Sequence, residues 1–233
     1  MAHPSVAPML GEGHYRVDCL DRGGYDPVMG RILFDSATTI NGWIADTDNS
    51  LGWLFAVAGG EHPDDGLFPT GATVLVEGST TYQWMLDEFD ILANPDKWRD
   101  FHGDRPTFVF TTRDLPAPAG ADIRFVSGAV SELLADIRAA AGAGDIWVVG
   151  GGDLAGQFFD VGALDSIALS IAPVALDGGA PLFPRRVESD RLRLVSAEAY
   201  GQFARLVYNI VDVPQHDGGD GRHNAVVTQD GEL

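Results

Sequence analysis

Three consecutive glycines, Gly150, Gly151 and Gly152, follow the apolar run Trp147-Val148-Val149 and precede Asp153 and Leu154, which open a segment of helical spacing. Glycine lets the main chain approach a ligand closely, and the N–H groups of a helix's first turn suit an anion such as a diphosphate. A tight turn that binds nothing satisfies the same pattern, so its company matters. In Val74-Leu75-Val76-Glu77-Gly78-Ser79-Thr80-Thr81-Tyr82 a glycine precedes three hydroxyl residues at the start of a helical stretch through Trp84, Met85 and Phe89. Hydroxyls and N–H groups there either hold a second phosphate or cap the helix. In Thr111-Thr112-Arg113 an arginine leaves a strand, placed to pair with a ribose phosphate or to stand in solvent. Ligands of open α/β sheets gather beyond the carboxyl ends of the strands, where all three junctions fall.

Neither common nucleotide fingerprint is present. The segment GGGDLAG lacks the Rossmann glycine order and the acidic strand end about 20 residues on. The P-loop pattern fails for want of its lysine, Lys97 being the only lysine in the chain. For proton donation the segment GEHPDDGLF offers Glu61, Asp64 and Asp65, of which Asp64 and Asp65 are the candidates. Clustered acids beside Gly and Pro are more often solvated loop residues. Trp43, Trp53 and Phe55 can floor a planar ring or serve as core. No histidine pair has metal-ligand spacing, and Cys19 is the single cysteine, so neither a metal site nor a disulfide is expected. No GxSxG elbow signals a hydrolase.

These residues need a sheet to position them. Strand-like runs occupy 32–39, 72–77, 107–112, 123–126 and 146–150, several of them apolar on consecutive residues, as strands covered on both faces are. Between the fourth and fifth, SELLADIRAAAGAG reads as a crossover helix, with Ser131 as cap, Leu133, Leu134 and Ile137 as its apolar stripe, and Gly142 and Gly144 as its stop. A short helix follows in DLAGQFFDVGAL, with Leu154, Phe158 and Phe159 on one face. Runs at 165–173, 192–200 and 203–211 come without long helices, and Gly201-Gln202 between the last two predicts an antiparallel hairpin. The fold class is α/β: a mixed, mostly parallel central sheet with flanking helices and a C-terminal antiparallel hairpin. Residues 1–29 read as an irregular arm, 30–213 as one domain and 214–233 as a flexible acidic tail.

With 34 acidic against 15 basic residues, the net charge of −19 disfavours nucleic acid and anionic membrane surfaces as partners. The chain has no run of 18 apolar residues and no secretory leader, so a cytoplasmic location is expected.

The succession ILFDSATTINGWIAD, ATVLVEGSTTY, TFVFTTRDL, IWVVGGGDLAGQFFDVGALDSIALSIAPVALDGGAPLF and a final hairpin resembles the C-terminal reductase domain of the bifunctional riboflavin biosynthesis deaminase/reductase, a branch of the dihydrofolate-reductase-like fold. That resemblance covers about 30–211 and is most specific over 146–183. It implies an NADPH-dependent reductase acting on a small pteridine- or pyrimidine-like substrate, with homodimers formed through the late strands. Ala37, Gly42, Trp43 and Ile44 would line the nicotinamide side. Gly78, Ser79, Thr80 and Thr81 would meet the adenosine half, with Thr111, Thr112 and Arg113 near the adenine and 2′-phosphate. Val149, Gly150, Gly151, Gly152, Asp153 and Leu154 would wrap the diphosphate, with a cis peptide expected at Gly150–Gly151. Asn41 and Trp53 would face the substrate. Asn41 stands where the riboflavin-pathway enzymes usually carry Asp, and Val149 where they carry Glu, which argues against their own substrate. The alternatives are a related deazaflavin as cofactor, or a non-catalytic cofactor-binding or assembly module on the same fold.

Overall fold

The computed structural model describes residues 29–58 and 69–212. Along the chain run β1 (Ile32–Thr39), β2 (Trp43–Ala45), α1 (Gly52–Phe55), β3 (Ala72–Gly78), α2 (Ser79–Glu88), α3 (Asp96–His102), β4 (Thr107–Phe110), β5 (Ile123–Val126), α4 (Val130–Ala141), β6 (Asp145–Gly150), α5 (Gly152–Asp160), β7 (Ser166–Ala172), β8 (Ala180–Pro181), β9 (Leu192–Tyr200) and β10 (Phe203–Ile210). Eight strands form one sheet in the order β5-β4-β3-β6-β1-β7-β10-β9, and β2 pairs with β8 apart from it. From β5 to β7 all neighbours are parallel, and β10 and β9 close the sheet antiparallel. The expected mixed sheet with its C-terminal hairpin is thus observed, with Gly201 at φ +53 in the hairpin turn.

The apolar runs end up where their composition requires. Ile32, Phe34, Val74, Val76 and Val148 pack with Val130 and Ile137 of α4 and with Leu154 and Phe158 of α5 on one face. On the opposite face Tyr82, Met85 and Leu86 of α2 and Trp98 of α3 cover Val109. Each fully buried apolar side chain of this size contributes about 1.5–3 kcal/mol relative to exposure. The parallel order leaves the carboxyl ends of β1, β3, β4 and β6 side by side along one rim.

Some local expectations are corrected. Helix α4 begins at Val130, so Ser131 lies within its first turn; the N–H of Ala129 is instead capped by the Glu132 carboxylate (3.3 Å). The helix does stop at Gly142, whose φ of +60 suits glycine. Strand β4 ends at Phe110, leaving Thr111 and Thr112 beyond it. The crossover from β5 through α4 to β6 passes over β4 and β3. Helix α3 and the β2–β8 pair, both short, escape a periodicity reading. Residues 1–28 of the expected arm, the whole of the expected tail at 214–233, and Glu61, Asp64 and Asp65 lie outside the described residues.

On the α2 side of the sheet, Asp35 of β1 and Arg205 of β10 meet in a buried bidentate ion pair (2.7 and 2.5 Å), and Arg205 also donates to Ser170 Oγ of β7 (3.1 Å). Burial raises the Asp35 carboxyl above its ordinary value, against the downward pull of the guanidinium's hydrogen bonds and charge.

Candidate functional site

At the rim, β6 runs through Gly150 directly into α5, with Gly151 as the N-terminal cap residue. The Gly150–Gly151 peptide is cis. The three glycines differ in what surrounds them. A Cβ on Gly150 would lie 2.9 Å from Thr81 Oγ1, and one on Gly152 would lie 2.0 Å from the Leu182 carbonyl oxygen. A Cβ on Gly151 would meet nothing closer than Ile44 Cδ1, at 3.9 Å. Gly152 therefore lets the chain at 181–182 pass against α5, while Gly151 is bare toward open space.

That space is a cleft of about 630 Å³. It is walled by Gly78, Ser79, Thr80 and Thr81 at the β3–α2 junction, Thr111 and Thr112 beyond β4, Ser127 and Gly128 before α4, and the segment from Val149 to Leu154. Ile44, Ala45, Leu51 and Trp84 form its apolar end, with Ser36 of β1 and Ala180–Pro181 alongside. Trp84 is in turn stacked on Phe55 of α1 (6.2 Å, 12°). The first-turn N–H groups of α5 have no partner within the helix and lie along this wall. The lining is rich in hydroxyls, and among the described residues it holds no Lys, Arg or His and Asp153 as its one charged side chain. Hydrogen bonds from Gln157 (3.0 Å) and Arg185 (3.0 Å) hold the Asp153 carboxyl below its ordinary value. Arg185 also binds Asp160 (2.8 Å) and lies over Gly156, where a Cβ would sit 2.8 Å from the guanidinium carbon.

Most residues singled out from the sequence thus meet in one cleft: Ile44, Gly78, Ser79, Thr80, Thr81, Thr111, Thr112, Val149, Gly150, Gly151, Gly152, Asp153 and Leu154. Others do not line it. Ala37 is half-buried in β1 beside Ser170. Asn41 is engaged structurally, donating to the Leu176 carbonyl (2.6 Å) and accepting from the Leu176 N–H (3.2 Å). Gly42 forms a turn at φ +85, and Trp43 pairs with Pro181 in the small ribbon. The side chain of Trp53 lies half-buried in α1, with its indole N–H lacking a hydrogen-bond partner among the described residues. Arg113 is exposed just outside the cleft, its N–H donating to Thr111 Oγ1 (2.8 Å). Ser36, Leu51, Trp84, Ser127, Gln157 and the 180–181 strand were not anticipated. Their presence depends on which strands become neighbours, and no local pattern marks that.

Beneath the cleft lies a group that the sequence reading passed over. Glu77, directly before Gly78, is fully buried, and neither carboxylate oxygen has a hydrogen-bond partner among the described residues. Burial pushes its carboxyl up to about 8. The unfolded group ionises near 4.5 while the folded one keeps its proton to about 8, so folding retains a proton between those values and stability falls as pH rises. The decline amounts to about 1.4 kcal/mol per pH unit from this residue alone. In Glu77→Gln, denaturant unfolding at pH 5, 6.5 and 8 should show that component of the slope removed; an unchanged slope contradicts the assignment.

The fold is that of the dihydrofolate-reductase-like class. Within that class, residues 92–205 match the RibD C-terminal domain family, which bears out the resemblance read from the motifs. Two uncharacterized proteins of Bacillus subtilis (strain 168) are similar: YwjB, 27% identical over 173 residues covering 74% of this chain and 93% of its own, and YyaP, 25% identical over 187 residues covering 77% and 94%. Among solved structures, a protein of Shewanella sp. PV-4 described under riboflavin biosynthesis aligns with a TM-score of 0.63, 24% identity, and coverage of 78% of this chain and 99% of that one. A diaminohydroxyphosphoribosylaminopyrimidine deaminase/5-amino-6-(5-phosphoribosylamino)uracil reductase from Thermotoga maritima aligns at 0.56 with 13% identity, over 78% of this chain and 57% of that one. The dihydrofolate reductase of Enterococcus faecalis, complexed with NADP(H), aligns at 0.53 with 16% identity, over 79% and 99%. At these identities the structural matches establish the fold.

Proposed function

We propose that this protein is an NADPH-dependent reductase that passes a hydride to a small conjugated heterocycle of pteridine or pyrimidine type. The carrying observation is the bare Gly151 and the first turn of α5, opening on a cleft lined by hydroxyls. A dinucleotide fits this cradle. The amides at the start of α5 and the hydroxyls of Ser79, Thr80 and Thr81 would take the phosphates, with Thr111, Thr112 and Arg113 at the adenosine end. When bound, NADPH supplies the hydride from its nicotinamide ring. The chain's own part is to align and dehydrate. Ile44, Val149 and Leu51 exclude water from the apolar end, and Trp84, backed by Phe55, offers a flat wall for a planar ring. Asp64 and Asp65 remain the proposed proton donors. Asn41, turned into a structural role, and Val149 leave the substrate end less polar than in the riboflavin-pathway enzymes, which favours a different heterocycle. A homodimer through the late strands accords with β9 forming a sheet edge that exposes Leu194 and Val195. A cytoplasmic setting goes with this reading.

The test is nicotinamide fluorescence and thermal stability with added NADPH, followed by oxidation assays across pterins, pyrimidines and quinones. Binding and turnover with one class support the reading; binding with no turnover on the whole panel favours the non-catalytic module. Asp153 gives a finer check. Its charge opposes an anion at the start of α5, and Asp153→Asn removes that charge while keeping an oxygen that can accept from Arg185. The variant should bind NADPH about 2- to 5-fold more tightly, in line with charge effects at helix termini. Weaker binding instead would mean that the carboxylate contacts the ligand directly, for example at a ribose hydroxyl.

A further inference from the structure

Resting on the dinucleotide reading above, we infer that Glu77 couples occupancy of the cleft to a proton: an anionic ligand lies more tightly against Gly78 and the Gly150–Gly152 bend while the Glu77 carboxyl is neutral, so binding draws a proton onto it. The placement carries this. Glu77 is the penultimate residue of β3, its successor Gly78 lines the cleft, and its register partner is Gly150 itself. The register shifts here, so β6 carries the extra residue Val149, which also lines the cleft. Val76 packs into the cluster beneath α4 and α5, whereas Glu77 lies on the α2 side, where Tyr82 feels its charge. Glu77 is thus the chain neighbour of a residue of the proposed phosphate cradle, and successive Cα atoms are only about 3.8 Å apart.

Nothing described around it supplies a counter-charge. From α2 the facing group is Tyr82, whose hydroxyl donates to the Pro116 carbonyl (2.7 Å) and whose own ionisation is pushed far up by burial. On β1, Asp35 is tied to Arg205. Arg105, ahead of β4, lies 6.0 Å from the centre of the Trp147 ring on β6 and bonds the His102 carbonyl (2.6 Å). A carboxylate at 77 would therefore confront a diphosphate across a dry strand end, with like charge meeting like charge in a weakly screening interior. A methionine or leucine would fill the same volume without that conflict, so the retained carboxyl makes binding sensitive to pH. Burial already holds the free carboxyl near 8, and a neighbouring anion raises it further, by about a unit or more.

The experiment is calorimetric titration of the full chain with NADPH at pH 8.5, in buffers of different ionisation heat. Wild type should take up about half a proton or more per NADPH bound, and its affinity should fall about tenfold between pH 7 and pH 9.5, one pKa unit corresponding to one decade. In Glu77→Gln the uptake should vanish and the affinity should change less than about threefold; Glu77→Met, apolar and similar in volume, provides the same comparison if the amide variant folds poorly. Binding without proton uptake in wild type, or equal uptake in wild type and both variants, overturns the coupling alone. Failure of NADPH to bind at any pH overturns the dinucleotide reading and the coupling with it.

Discussion

Gly151→Ala should keep the native fold and lose about a hundredfold in NADPH affinity, whereas Gly152→Ala, one residue along, should lose the fold's local integrity first; a hundredfold corresponds to about 2.7 kcal/mol. The added methyl at 151 meets no protein atom nearer than 3.9 Å, and the residue's φ of −91 is open to any side chain, so thermal stability should change little. That methyl instead fills the place where main chain and ligand must approach each other. At 152 the methyl would sit 2.0 Å from the Leu182 oxygen and 2.5 Å from that of Pro181, both backbone atoms that cannot swing aside. Displacing the 181–182 segment should cost about 3 kcal/mol or more, at the upper end of overpacking effects. The measurements are a melting curve and a fluorescence titration for each variant. Equal loss of stability in both would mean that Gly151 is structural and that the cradle is misassigned.

The second large effect concerns the buried pair that holds β10 to the centre of the sheet. Arg205→Met strips Asp35 of its bidentate partner while leaving it 7% exposed, and a single broken buried pair typically costs about 3–5 kcal/mol. The deficit should shrink at low pH, because the stranded Asp35 escapes it by taking up a proton. A double variant, Asp35→Leu with Arg205→Met, should regain much of the loss, since the desolvated charge is then gone altogether. Denaturant unfolding at pH 5 and pH 8 measures all three. A single variant as stable as wild type would show that solvent reaches the pair.

Much of this architecture is legible in the chain because periodicity and punctuation agree. The runs at 32–39, 123–126 and 192–200 become strands with those bounds, since each is apolar or alternating and ends at a turn residue. The glycine bend is legible for a related reason: Gly150 and Gly152 each answer a local steric demand, and Gly151 between them leaves the main chain bare toward the cleft. Long-range placement is less visible. Asn41 reads as a substrate contact until Leu176 is brought against it from 135 residues away. Asp35 and Arg205 look like surface charges in their own strands and become partners only through the order β1-β7-β10. Glu77 in ATVLVEGSTTY looks like an ordinary strand-end acid, and only the covering helix α2 makes it a buried one. Ser131 fails as a cap because Glu132 reaches back to the Ala129 N–H and sets the start of the helix two residues earlier.

In the proposed complex, main-chain amides at the Gly150–Gly152 bend hold a dinucleotide's diphosphate. A crystal of the full chain soaked with NADPH tests it most directly: the diphosphate oxygens should lie within hydrogen-bonding distance of the first-turn N–H groups of α5, with the nicotinamide directed toward Ile44 and Trp84. A saturating soak that leaves the bend bare, or that places NADPH elsewhere on the protein, would contradict it.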